Sequence, residues 1–455
     1  MNQNQNLSEI DPISDYHRVI RGEKIVAGGE CLGHFNGKPV FCWNLLPGEL
    51  AQVRIIKKRK GCLYGIAEEI IEPSQERIKP EEPDHYLSCS PWQIVKWESE
   101  LKWKREEANG HFHKLDLSAL DGDIEIFSPD QNQYHYRNKM EFGFTRSVYK
   151  DDNSPIKLSL NKRGSYSWKL PLDGCCLAES EINESAQAVC DWLNLHKIDV
   201  AHVKTVIARS NGQGESCVAL FATEEEVFNE LISKKSKPNL PSHCQGFRIY
   251  LSPANSPASI VSKTIFAEGD DFLTTELNGT KLRFGLLSFF QVNIPLFTKT
   301  LDLIATYLDK EKAALDFYSG VGAISLPLHN LAKSWHLVDS NAEAIDLAQK
   351  NIDNNGITNA KAECCPAEQV VELINSDQIV IVDPPRAGLH AKVVQRLLEV
   401  KPARIIYLAC NLSAQARDLE FLQETYKIID LKLFNYFPRT PHLESLCVLE
   451  RRSCL

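Results

Sequence analysis

Ala314-Leu315-Asp316-Phe317-Tyr318-Ser319-Gly320-Val321-Gly322 decides the fold when read with three later runs: Trp335-His336-Leu337-Val338-Asp339, Ile379-Val380-Ile381-Val382-Asp383 and Arg404-Ile405-Ile406-Tyr407-Leu408-Ala409. Each is a short, nearly continuous apolar run that ends in a turn or a polar residue. Such runs read as strands buried on both faces. Helical patterns lie between them, for instance Ala342-Glu343-Ala344-Ile345-Asp346-Leu347-Ala348. From Phe284 onward the alternation predicts an α/β domain with a doubly wound, mostly parallel sheet. Ligands bind such sheets beyond the carboxyl ends of the strands, where the polar residues of this chain fall.

The first of these ends carries Gly320 and Gly322, which predicts a backbone that a ligand can approach closely before the chain enters a helix. Ser325 stands where a dinucleotide fingerprint has its third glycine, which argues against NAD. About 20 residues on, Asp339 ends the second strand, the place where an acid accepts hydrogen bonds from ribose hydroxyls. Asp383-Pro384-Pro385-Arg386 closes another strand. Two consecutive prolines cannot continue a hydrogen-bonded ladder, so they turn the chain over the strand ends and hold Asp383 at the pocket mouth.

A thiol and a carboxylate complete the set. Cys410-Asn411 follows the Tyr407-Leu408-Ala409 strand end, and Glu444 closes the Pro-rich stretch Phe437-Pro438-Arg439-Thr440-Pro441-His442-Leu443-Glu444. Alone, Cys410 reads as a core thiol and Glu444 as a surface carboxylate. Beside a cofactor cradle they read as nucleophile and base of an enzyme that forms a covalent intermediate.

The whole chain has 455 residues, 43% hydrophobic and 24% charged, the profile of a soluble multidomain protein. The formal net charge of −9 argues against a broad nonspecific nucleic-acid binder, yet Arg54, Lys57, Lys58, Arg59 and Lys60 form a local basic run. Fourteen cysteines are spread along a chain without an export signal and imply buried thiols rather than a disulfide framework. No apolar run reaches bilayer length, so a cytoplasmic protein without membrane attachment is expected. Residues 1–18 read as a polar tail. Residues 19–75 carry short strands broken by Gly and Pro and predict a small β-barrel. Residues 76–265 read as a linker and a helix from about Trp92 to Asn109, then a central α+β domain with strands at Glu125-Ile126-Phe127, Lys139–Phe144 and Thr205–Ala208. Residues 266–455 form the doubly wound domain.

Together, Ser288-Phe289-Phe290-Gln291-Val292-Asn293, Asp316–Gly322, Asp383–Leu389, Ala409-Cys410-Asn411 and Pro441–Glu444 resemble, in order, the RNA uracil-5 C-methyltransferases that use S-adenosylmethionine. The N-terminal segment, with Gly29-Glu30, Pro47-Gly48-Glu49 and the basic run, resembles the TRAM module, an OB-like RNA-binding barrel. The resemblance implies a Rossmann-like class I methyltransferase domain behind the barrel and the central α+β domain. It implies Cys410 as nucleophile and Glu444 as proton-abstracting base. Gln291, Tyr318, Gly320, Asp339 and Asp383 would line the cofactor or target-base pocket. It also implies that Tyr136-Arg137-Asn138-Lys139 faces RNA. A Cys–base pair is what methylation at C5 requires, because uracil C5 is nucleophilic only after a thiolate has added to C6.

Many relatives hold a four-cysteine iron–sulfur cluster; this chain offers only Cys89 and the pair Cys175-Cys176, so no cluster and no metal are expected. His85 and Cys89 are read as packing residues. Ser319, Leu412 and Ala323 replace residues common in the family, none of them at the proposed covalent step. RNA is the expected partner, with large-subunit ribosomal RNA favoured over the transfer-RNA T-loop, and a monomer is the default. An exocyclic-nitrogen methyltransferase explains the cradle but leaves Cys410 and Glu444 idle. A noncatalytic RNA-binding protein would not bind S-adenosylmethionine.

Overall fold

The computed structural model describes residues 16–452 apart from 121, 130–131, 147–153, 166–167 and 257. The expected tail therefore lies almost wholly outside the described residues. The chain forms two compact units, one of residues 1–107, 162–168 and 439–441, the other of the remainder.

The first unit is built on a six-stranded sheet, comprising His17–Arg21, Lys24–Ile25, Cys31–Phe35, Lys38–Trp43, Leu50–Arg59 and Cys62–Glu72. Alternation sets its core: Ala51, Val53 and Ile55 point inward with Val40, Cys42 and Leu63. A Cβ on Gly33 would lie 2.4 Å from the carbonyl oxygen of Arg21, so the first and third strands approach more closely than a side chain permits. The two long strands meet in a hairpin at Lys60-Gly61, both with positive φ (48° and 80°), the turn that matches strand twist. The stretch after Pro73, expected to be a loose linker, is pinned instead. Arg77 pairs with the buried Glu49 (2.6 Å and 2.8 Å), which also accepts from the amides of Leu46 and Ser74. The following helix spans Trp97–Phe112, starting a turn later than its sequence pattern suggests.

The second unit holds a seven-stranded sheet and an eight-stranded sheet. The former runs from Lys169–Leu172 at one edge to Lys263–Gly269 at the other, antiparallel except where Ser216–Ala222 meets Cys244–Leu251. Helix Ser180–Leu195 buries Ile182, Ala186, Val189 and Leu193 at the spacing of one helical face. Lys263–Gly269 straddles the boundary expected at residue 265.

The eight-stranded sheet has the order Ala360–Cys364, Ser334–Asp339, Ala313–Phe317, Ile379–Val382, Arg404–Ala409, Glu444–Arg451, Tyr426–Phe434, Glu125–Phe127. Its first five strands are parallel, and Glu444–Arg451 is antiparallel to both neighbours. This is the expected Rossmann-like α/β architecture. Strand order reverses between Ala313–Phe317 and Ile379–Val382, the topological switch point at which such sheets bind ligands. Glu125–Phe127, read from the sequence as part of the central domain, is an edge strand of this sheet. Apolar alternation identifies a strand but not its partner.

Candidate active site

The expected site residues converge at one edge of the eight-stranded sheet. Phe317 pairs with Val382 and Val338, so Tyr318, Asp383 and Asp339 leave three adjacent parallel strands at the same level. Ala409 pairs with Ser445 in the antiparallel register, which sets Cys410, just past its strand, level with Glu444 at the start of the next. The thiol and the carboxylate, far apart in sequence, are cross-strand neighbours.

The glycine turn is tightly specified. Tyr318 and Gly320 have φ of 64° and 55°. The Gly320 amide donates to Asp339 Oδ2 (2.9 Å), and the Asn341 amide donates to Oδ1 (2.8 Å). A Cβ on Gly320 would meet nothing within 4 Å, whereas one on Gly322 would strike Leu326 at 2.6 Å. Gly320 thus borders open space and Gly322 permits packing. After the turn the chain forms the short 3-10 segment Leu326–Leu331 rather than the expected helix, with Pro327 in its first turn.

Acids dominate the floor. Asp316 is fully buried, and burial, with the charge of Asp339, pushes its pKa up to about 7 against the opposing hydroxyl and amide of Ser325. The same causes, burial and then the charge of Asp316, push Asp383 up to about 7. Gln291 Nε2 donates to Asp383 Oδ2 (3.3 Å). A pocket floor with three carboxyls in reach of one another is complementary to a ligand that carries positive charge. S-adenosylmethionine, with its ammonium and sulfonium groups and a ribose, fits this donor set: Asp316 and Asp383 would face the cationic part and Asp339 the ribose, over Gly320.

Glu444 is 4% exposed, and its Oε2 has no hydrogen-bond partner. Burial and then Asp383 hold its pKa well above the usual carboxylate range, opposed by Arg386. Burial, Glu444 and Asp383 push the Cys410 thiol up to about 11, and Arg386 again opposes them. Arg386 is therefore the cation that senses both groups, and Asn411 fixes its backbone. The Asn411 side chain caps helix Leu412–Leu422 through the amides of Ser413 and Ala414, and donates to the Arg386 carbonyl (2.8 Å). The same cap puts Cys410 at a helix N-terminus, whose dipole favours a thiolate. In the sequence Arg386 and Asp316 stand inside the Asp383–Leu389 and Asp316–Gly322 motifs with nothing local to give either a role. Their signal is spatial, since what makes them notable is the charge beside them.

The Gln291 loop is clamped from behind. Asn138 donates to the Gln291 carbonyl (2.8 Å), Lys139 to that of Leu287 (2.8 Å), and the buried Arg209 to those of Gly285 and Ser288. Tyr136 is 5% exposed and donates to the Pro438 carbonyl (3.0 Å). Tyr136, Asn138 and Lys139, read from the sequence as facing RNA, thus each donate a hydrogen bond that holds a site loop. Phe290 stacks on Phe284 (4.2 Å), leaving Phe289 70% exposed beside Gln291.

In the first unit, Arg439–Pro441 is held by helix Trp97–Phe112. The Arg439 amide donates to both carboxylate oxygens of Glu100 (3.1 Å and 3.2 Å), and Glu100 also pairs with the buried Lys104 (2.9 Å). Elsewhere in that unit, donor atoms of Glu82, His85 and Cys89 lie within 4.8 Å of one another. They bond to one another and to neighbours, with the Cys89 thiol donating to Glu82 (3.5 Å). Cys175 is buried in the second unit. Among the described residues no helix is long and apolar enough to cross a membrane.

The tRNA (uracil-5-)-methyltransferase family model matches residues 96–452. The chain is 28% identical to an uncharacterised RNA methyltransferase of Fusobacterium nucleatum, covering 95% of both chains. It is likewise 28% identical to one from Caldanaerobacter subterraneus, covering 93% of this chain and 95% of that one. Its fold is similar to that of the Pyrococcus abyssi tRNA (uracil-54, C5)-methyltransferase, solved with S-adenosyl-L-homocysteine. The TM-score is 0.73 at 21% identity, covering 95% of this chain and 100% of the other. With its glycine turn, acid floor and thiol–carboxylate pair on one strand edge, the chain belongs to the tRNA (uracil-5-)-methyltransferase family, the RNA uracil-C5 methyltransferases that use S-adenosylmethionine.

Proposed function

We propose that the protein methylates C5 of a specific uridine in RNA through a covalent bond between Cys410 and C6 of the base. The placing of Cys410 level with Glu444, one step beyond the Ala409–Ser445 pair, and the buried Glu444 Oε2 without a hydrogen-bond partner carry this reading, because methylation of an exocyclic nitrogen has use for neither group. The cofactor supplies the methyl group. Cys410 loses its proton to solvent and its sulfur bonds C6, and the C5=C6 electron pair moves onto the C4 carbonyl as an enolate. Carbon C5 would then bond the methyl group as the methyl–sulfur bond of the cofactor breaks, the electron pair of that bond staying on the sulfur, which leaves as a neutral thioether. Glu444, as carboxylate, removes the C5 proton, and the returning electrons restore the double bond and expel the Cys410 thiolate. A base with a raised pKa suits abstraction from carbon, and Arg386 moderates the cost of both anions. Gln291, bonded to Asp383, would line the base pocket, and the exposed Phe289 would offer the base or a neighbour an aromatic face.

The RNA class belongs to the same proposal. The six-stranded N-terminal sheet, read as a TRAM-like module, favours ribosomal RNA, whereas the Pyrococcus abyssi protein is a transfer-RNA enzyme by its description. A cytoplasmic monomer completes the reading. The covalent step is tested with Glu444→Gln, which permits addition and blocks proton removal. It should accumulate a denaturation-resistant protein–RNA complex in the presence of S-adenosylmethionine, and Cys410→Ala/Glu444→Gln should accumulate none. A complex that persists without Cys410 would refute the assignment.

A further inference from the structure

Glu82, His85 and Cys89 of the first unit bring three metal-ligating atoms of different chemistry around one point, and no step of the methylation uses them. Cys89 Sγ lies 3.5 Å from Glu82 Oε2 and 3.9 Å from His85 Nδ1, and His85 Nδ1 lies 3.7 Å from Glu82 Oε2. The last distance is wider than a hydrogen bond. Four other His–Glu pairs, His17–Glu68, His34–Glu23, His243–Glu184 and His336–Glu363, close to 2.7–3.0 Å although their side chains are more exposed. His85 and Glu82, only 11% and 13% exposed, stand open by comparison. A tetrahedral zinc ion, with bonds of about 2.0–2.3 Å, sets its nitrogen, oxygen and sulfur ligands about 3.4–3.6 Å apart. The three atoms form such a triangle, wider by a few tenths of an ångström.

Buried polar groups orient two of the three ligands, as outer partners do at metal sites. Gln93, fully buried, donates from Nε2 to Glu82 Oε2 (3.0 Å) and accepts the Glu82 amide on Oε1 (3.0 Å). Ser90, also fully buried, sets its Oγ 3.0 Å from Cys89 Sγ. The donor set selects the ion. Thiolate and imidazole suit zinc, whereas magnesium and calcium take oxygen ligands. One thiol cannot replace the four of an iron–sulfur cluster, but the count that argues against a cluster does not argue against a single ion. We propose that Glu82, His85 and Cys89 bind one zinc ion through Oε2, Nδ1 and Sγ, with water in the fourth position. On binding, the Cys89 proton passes to solvent and the sulfur ligates as thiolate, replacing its hydrogen bond to Glu82. The ion staples segment 82–89 and stabilises the first unit, whatever base the enzyme methylates.

The test is the metal content of the untagged full chain after loading with zinc and gel filtration, by inductively coupled plasma mass spectrometry. The wild type should retain about one zinc ion per chain more than Cys89→Ser, His85→Ala or Glu82→Gln, a difference that discounts zinc held by other thiols. Cobalt(II) in place of zinc should give a sulfur-to-cobalt charge-transfer band that Cys89→Ser abolishes. Zinc should raise the melting temperature of the wild type and leave that of Cys89→Ser and Glu82→Gln unchanged. Both variants should still melt cooperatively without metal, which separates lost binding from lost folding. Zinc retained equally by the wild type and all three variants, or none retained by the wild type, would overturn the proposal. Iron and sulfide recovered in place of zinc would do the same.

Discussion

At the scale of single residues, the site is a balance between burial and one cation. Cys410 is a resting thiol because burial outweighs its favourable helix N-terminus, and Glu444 and Asp383 add to that bias. Arg386 is the counterweight. Arg386→Met should therefore slow Cys410 alkylation by iodoacetamide at pH 8, read on the Cys410 peptide by mass spectrometry, by about three- to ten-fold. Alkylation of Cys410 should accelerate with pH towards its pKa of about 11, since only the thiolate reacts. A rate independent of Arg386 would remove that residue from the balance.

At the scale of elements, the segment Arg439–Pro441 of the first unit is held by a buried ionic cluster. Glu100 and Lys104 are both fully buried, and Arg439 is nearly so. Glu100→Ala would leave Lys104 and Arg439 buried without their carboxylate, at a cost of about 3–5 kcal/mol. The expected result is a lower urea midpoint together with loss of methyl transfer, with Glu100→Gln intermediate because it keeps an acceptor for the Arg439 amide. This element also marks where sequence reading stops. The strands of the doubly wound sheet were legible because each apolar run is buried on both faces, and their ends located Gly320, Asp339, Asp383 and Cys410 by topology alone. Cys410 and Glu444 were legible together as nucleophile and base from their chemistry and the Pro-rich loop, with family resemblance in support, but nothing local tells that Glu444–Arg451 inserts beside Arg404–Ala409. The Glu125–Phe127 edge strand, the Arg77–Glu49 clasp and the turned-in Asn138 and Lys139 share that limit. Each depends on a partner tens to hundreds of residues away, and in the sequence their residue types look like those of any solvent-facing segment.

At the scale of the whole molecule, stability and cofactor binding are linked through Asp316. In the folded protein it keeps its proton up to about pH 7, against 3.8 for an ordinary aspartate. Between those values the native state binds more protons than the unfolded one, so each rise in pH lowers stability, and the contribution is lost as pH passes 7. The apoprotein should thus melt at lower temperature at pH 8 than at pH 6, and Asp316→Asn should reduce that difference in a thermal scan. Saturating S-adenosylmethionine should raise the melting temperature most at the higher pH, because its cationic groups favour the ionised floor.

If this floor and the Cys410–Glu444 pair together methylate uracil at C5, labelled S-adenosylmethionine supplied with unmodified ribosomal or transfer RNA in separate reactions should show it. Nucleoside analysis should then find labelled 5-methyluridine in one RNA fraction with the wild type and none with Cys410→Ala, although that variant still binds the cofactor. Label on an exocyclic nitrogen, or 5-methyluridine formed without Cys410, would contradict it.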